Sequence, residues 1–237
     1  MRLFTRMLVL VGWLLAPAPS AIAQSAVDPS GHWEGSVQIP GREVIFEVDL
    51  ARNAKGELSG TMNHPAEKIN GLPLRAVVVD GQSVSFNARR DQPFTATLAA
   101  DGKSMSGEYS LGGHVLPFSL VRTGDATIAA PVKSPPVGKE LEGTWNGALA
   151  VNGASLRLVL TIANQTDGTA AARLISLDEG ELESPLVITQ EASRVALVNS
   201  IVVSSYAGAL NSERTELVGT YSQGALVAPL TFRRVEP

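Results

Sequence analysis

"GHWEG" fills residues 31–35 and "GTWNG" fills residues 143–147, and the reading of these two pentapeptides decides the fold. The chain has three tryptophans, and two of them sit in this one pattern, 112 residues apart. Trp33 laid on Trp145 brings Gly35 onto Gly147, Gly56 onto Gly168 and Pro73 onto Pro185 without a gap. The same offset sets Phe94 on Tyr206, Leu98 on Leu210, Gly107 on Gly219 and Tyr109 on Tyr221. It also sets Gly112 on Gly224, Pro117 on Pro229 and Arg122 on Arg234. Only Gln82–Phe86 against Arg194–Leu197 fits better with a one-residue slip. A constant offset over about 90 residues marks a tandem duplication.

Each copy reads as β throughout. In "VIFEVDL", Val44, Phe46, Val48 and Leu50 alternate with Ile45, Glu47 and Asp49. In "HVLPFSLVR", His114, Leu116, Phe118, Leu120 and Arg122 share one face. Period-two alternation marks strands with one buried side. Turn signals at Lys55-Gly56, Asp80-Gly81, Asp101-Gly102 and Gly112-Gly113 separate them. The pattern predicts eight strands in the first copy, near 32–39, 43–51, 57–64, 72–79, 83–89, 94–99, 104–110 and 114–122. Eight antiparallel up-and-down strands close naturally into a small barrel, so the expected fold is all-β, two such barrels in tandem.

The start of the chain reads as an export signal. Arg2 and Arg6 precede the apolar run Met7–Ala16, and Ala21-Ile22-Ala23 offers a small-x-small cleavage site. The run is short of the ~20 apolar residues that a membrane-spanning helix needs, so no anchor is expected once the signal is cleaved. The expected divisions are a signal peptide over 1–23, a first module over 27–123, a proline-rich linker over 124–138 and a second module over 139–237. Removing the two leader arginines takes the formal net charge from −4 to −6, which argues against nucleic acid as a partner. The expected location is periplasmic or secreted. There is no cysteine, so thiol catalysis, thiolate metal sites and disulfides are excluded.

Gly31-x-Trp33 on the first strand with Arg122 on the last resembles the calycin signature best known from lipocalins. Gly143-x-Trp145 and Arg234 repeat it in the second copy. The resemblance implies a tryptophan plugging the closed end of each barrel and an arginine lying across its ring, a cation–π contact. A second resemblance covers nearly the whole of each copy. Asp101-Gly102, Leu111-Gly112-Gly113 and Leu116-Pro117-Phe118 are similar to a non-catalytic β module found ahead of the catalytic domain in exported bacterial serine hydrolases. The second copy departs from it, with Glu213-Arg214 in place of the Asp-Gly turn and Ala225 in place of a glycine. This resemblance implies an accessory or binding module and transfers no catalytic residue.

No catalytic constellation is legible. There is no Gly-x-Ser-x-Gly elbow, and the three histidines, His32, His64 and His114, all lie in the first copy. The acidic run "DEGELE" (178–183) reads as a solvated loop, and no metal set or cofactor motif is present. His32 alternates with Trp33 and is expected to face solvent. His64 and His114 share the parity of core residues, and together with Arg90, where the fifth strand ends, they fall at one rim, opposite the Trp33–Arg122 floor. They form the expected ligand-binding set, and the offset puts Ser176, Val202 and Leu226 at the matching places. The sequence thus predicts an exported, non-catalytic protein binding a small ligand or an envelope component. An adaptor for a separately encoded exported hydrolase, or a hydrolase-related enzyme with an unrecognised site, remains open.

Overall fold

The computed structural model describes residues 27–90, 92–130, 133–151 and 153–236; the predicted signal peptide lies outside them. The first barrel contains β1 (Gly31–Ile39), β2 (Arg42–Arg52), β3 (Leu58–His64), β4 (Ile69–Pro73), β5 (Arg75–Asp80), β6 (Ser83–Arg89), β7 (Gln92–Leu98), β8 (Ser104–Leu111) and β9 (His114–Gly124). One 3-10 turn, Pro65–Glu67, follows β3. The second barrel contains β10 (Gly143–Val151), β11 (Ala154–Asn164), β12 (Ala170–Ser176), β13 (Leu182–Glu191), β14 (Arg194–Asn199), β15 (Ser204–Leu210), β16 (Glu216–Gln223) and β17 (Leu226–Arg234).

Every described ladder between these strands is antiparallel, and β10 to β17 close into a barrel in sequence order. The first sheet has nine strands, in the order β4-β3-β2-β1-β9-β8-β7-β6-β5. The ninth arises where one strand was expected over 72–79. There the chain divides at Leu74, and Ala76 turns into a left-handed conformation with φ 49°. The two edge strands β4 and β5 are consecutive, and Leu74 carries the chain across the seam by donating its N–H to Gly60 O at 2.9 Å. The first barrel is therefore nearly closed, whereas β13 runs unbroken through the matching stretch.

Alternation places the cores. Phe46, Val48 and Leu50 of β2 are buried while Ile45 is exposed, and Leu116, Phe118 and Leu120 of β9 are buried. Asp49 breaks the pattern, being only 3% exposed on the outward face. Its Oδ1 accepts the Thr127 N–H at 2.8 Å and lies 2.9 Å from His32 Nδ1. Buried charge demands such partners. His32 is accordingly half-buried rather than solvated, because the segment after β9 folds back over it.

The described part of the proline-rich stretch is also tied down. Ser134 is buried; its carbonyl accepts from Ala170 N at 3.1 Å and its hydroxyl from Ile188 N at 3.0 Å. Asn164 holds Val137 by two hydrogen bonds, and Leu141 is fully buried. Residues 133–141 therefore pack on the second barrel.

Candidate functional site

The two ends of each barrel differ because the repeated pentapeptide builds one of them. Trp33 and Trp145 are fully buried, and each indole N–H donates to a carbonyl four residues earlier, Pro29 O at 2.9 Å and Leu141 O at 3.0 Å. Arg122 Cζ lies 4.8 Å from the Trp33 ring centre, and Arg234 Cζ 4.1 Å from that of Trp145. Both guanidiniums also donate to equivalent carbonyls, Asp28 O and Glu140 O. These contacts form the closed floor of each barrel.

The opposite end of the first barrel opens into a cavity of about 270 Å³. Its base is aromatic: Phe94 stacks on Tyr109 at 4.2 Å and on Phe86 at 5.0 Å, and Phe46 leans on it at 5.5 Å. Polar groups border it, namely Arg42, His64, Glu67, Arg89, Gln92 and Tyr109. Tyr109 Oη donates to Gln92 Oε1 at 2.9 Å. His64 Nδ1 accepts the Glu67 N–H at 3.1 Å and so caps the 3-10 turn, which leaves Nε2 as the nitrogen outside that bond.

Of the three rim residues predicted from sequence, only His64 lines this cavity. Arg90 turns away and pairs with Glu181 of the second barrel at 2.8 Å. A register shift between Asn87 and Arg89 breaks the alternation there, and Arg89 takes the inward place. His114 keeps the right parity but is exposed, because it sits at the tip of the β8–β9 hairpin, past the depth at which the inner face is covered. Sequence reading missed Arg42, Glu67, Arg89 and Gln92. Tyr109 had a signal, its match to Tyr221, whose hydroxyl donates to Gln223 in the second copy at 2.9 Å.

One small void in the second barrel, of about 20 Å³, lies among Leu197, Tyr206 and Phe232. Burial pushes the Tyr206 phenol well above its ordinary range. Its mouth holds a separate cavity of about 240 Å³, and here Ser176, Val202 and Leu226 do come together. Three of this cavity's wall residues, Glu67, Ile69 and Arg89, belong to the first barrel. The mouths therefore face one another. Asn70 N donates to Ile201 O at 2.9 Å and Arg90 N to Gly180 O at 3.2 Å across the junction. The acidic run is part of it: Glu181 holds Arg90, and Glu183 holds Arg75 as well as its own barrel's Arg173.

No family model matches the chain, and no curated protein matches it. Several solved structures are similar to it at low identity. A candidate outer membrane protein from Bacteroides fragilis NCTC 9343 is 13% identical, covering 87% of this chain and 97% of that one, with a TM-score of 0.27. A DUF3598-family protein of unknown function from Nostoc punctiforme PCC 73102 is 16% identical over 90% of this chain and 97% of that one, with a TM-score of 0.30. The isotype 1 transferrin-binding protein B of serogroup B Neisseria meningitidis is 11% identical over 81% of this chain and 53% of its own, with a TM-score of 0.25. At these values the likeness carries nothing about what this chain binds.

Proposed function

We propose that this is an exported, non-catalytic binding protein whose first barrel takes up a small, largely apolar molecule at its open end. The observation that carries the reading is the open end of the first barrel, a cavity of about 270 Å³ with an aromatic base and a polar rim. The second barrel keeps a comparable space of about 240 Å³ at its own mouth, walled by leucines such as Leu149, Leu158 and Leu174. A small barrel normally fills itself with its own side chains, so space kept behind an aromatic base and a few polar groups has the make-up of a ligand site. Export is supported by the basic, apolar and small-x-small order of residues 2–23.

N-phenylnaphthylamine, an uncharged dye that brightens in apolar surroundings, tests this. It should bind one molecule per chain, and Ala88→Trp, which fills the cavity from β6, should abolish the signal while the protein still melts cooperatively. Binding that survives Ala88→Trp, or no binding at all, rejects the proposal.

A further inference from the structure

The cavity in each mouth is walled partly by the same side chains. Glu67, Ile69 and Arg89 line both, so the two spaces adjoin across a single layer of residues. Ile69 is buried in the first core, but the polar part of that layer is loosely held. Arg89 Nη2 and Glu67 Oε2 stand 3.7 Å apart, beyond direct hydrogen-bond distance, and the Glu67 side chain is 53% exposed. Neither cavity alone reaches the roughly 300 Å³ at which ligand sites usually begin, but together they fall inside that range.

The second barrel's side also carries an unmet demand. Ser176, which stands where the first copy has His64, is 6% exposed, and its Oγ has no hydrogen-bond partner among the described residues while its side chain lines the cavity. A buried hydroxyl without a partner is unfavourable, so an occupant with a polar atom at that place would be held by it.

We propose that the two mouth cavities act as one chamber for a two-armed, uncharged amphiphile, with an apolar arm in each barrel and an ester or amide at the junction. This rests on the first barrel being a binding unit. The arms are argued from the walls: Phe46, Leu72 and Phe94 on one side, Leu149, Leu158 and Leu174 on the other. The neutral centre is argued from charge. Arg42 and Arg89 are matched by two carboxylates, Glu67 and Glu179, so the chamber's formal charges balance and a charged centre would be left without a counter-charge. A carbonyl can instead accept from the Arg89 guanidinium or from Ser176 Oγ. A charged terminal group would have to enter one of the apolar ends, which is costly.

Dioctanoylglycerol, titrated into the full chain by displacement of N-phenylnaphthylamine, tests the proposal. Leu226→Trp and the smaller change Ser176→Leu both fill the second mouth and alter no residue that lines the first cavity. Each should weaken dioctanoylglycerol about tenfold or more, and leave the dye within about twofold. Two folded variants that bind dioctanoylglycerol like the parent overturn the joint chamber and leave the one-barrel reading standing. Monooctanoylglycerol binding as tightly as the two-armed lipid overturns it too. A dye that binds nowhere removes both readings.

Discussion

Trp33 and Trp145 have the same surroundings down to the carbonyl each indole addresses, which ties the pentapeptide to the floor of each barrel and not to its mouth. Trp33→Ala should cost about 3–5 kcal/mol, as for other large buried aromatics, against a stability of about 5–15 kcal/mol typical of a domain. Arg122→Gln removes one cation–π contact and the bond to Asp28 O, and should cost less, about 1–2 kcal/mol. Urea titration of both variants checks the order. A Trp33→Ala protein with unchanged unfolding would reverse the assignment. His32 gives a different prediction. The hydrogen bond that His32 Nδ1 donates to Asp49, helped by the charges of Asp49, Glu47 and Glu34 and opposed by burial, holds its pKa above the ordinary value of 6.5. A raised folded pKa means that protonation favours the folded state. The contribution is therefore fully present below 6.5 and lost as pH rises through the folded value. The urea midpoint should fall as pH rises above about 6.5, and His32→Gln should flatten that part of the profile. An unchanged slope in the variant would show that other groups set it.

The glycine two residues after the tryptophan matters for strand pairing. A Cβ at Gly35 would run into the backbone carbonyl of Ser119 on β9, so only glycine lets β1 lie this close to the last strand. Gly35→Ala should cost about 1–3 kcal/mol, the range for overpacking. Hydrogen-exchange protection lost first in β1 and β9 would locate the damage; loss confined to other strands would contradict it. Strands were the most legible feature of the sequence because alternation and turn residues are local. Seven of the eight strands expected in the first copy match observed ones to within two residues at either end. The seam at Leu74 was not legible, since a chain crossing between two edge strands looks like one strand until its partners are known. The site was less legible for the same reason. Parity put His64 on the inner face, but it cannot foresee the register shift that exchanges Arg90 for Arg89. Nor does parity carry depth, and His114 at a hairpin tip is on the correct face with nothing above it. The opposing mouth, whose cavity Glu67 and Arg89 also line, has no local signal at all.

The duplication also explains how the two barrels meet. The 112-residue offset turns Gly180 into position 68 and Ile201 into position 89. The bonds Asn70–Ile201 and Arg90–Gly180 therefore each join the 68–70 segment of one copy to the 89–90 segment of the other. A patch that pairs with its own duplicate is the isologous arrangement of a twofold dimer, here within one chain. Leu182 and Ile201 of the second barrel are buried in the cluster that forms the first barrel's core. Burying a side chain of this kind is worth about 1.5–3 kcal/mol, an upper figure because unfolded chains already bury some of it. The ion pairs Arg75–Glu183 and Arg90–Glu181 are partly exposed and should each add about 0–1 kcal/mol. Apolar contact, not charge, should then couple the barrels. Residues 27–128 alone are expected to fold cooperatively but with stability lower by on the order of 2–4 kcal/mol than the same barrel in the full chain. Leu182→Ser with Ile201→Ser in the full chain should reproduce most of that loss, and Arg75→Ala with Arg90→Ala only about 1 kcal/mol. Denaturant unfolding followed separately for each barrel, through Trp33 or Trp145 with the other changed to Phe, would resolve the terms. A fragment as stable as the barrel in the full chain would show that the mouths touch without coupling. A fragment that does not fold would show that the first barrel has no complete core of its own.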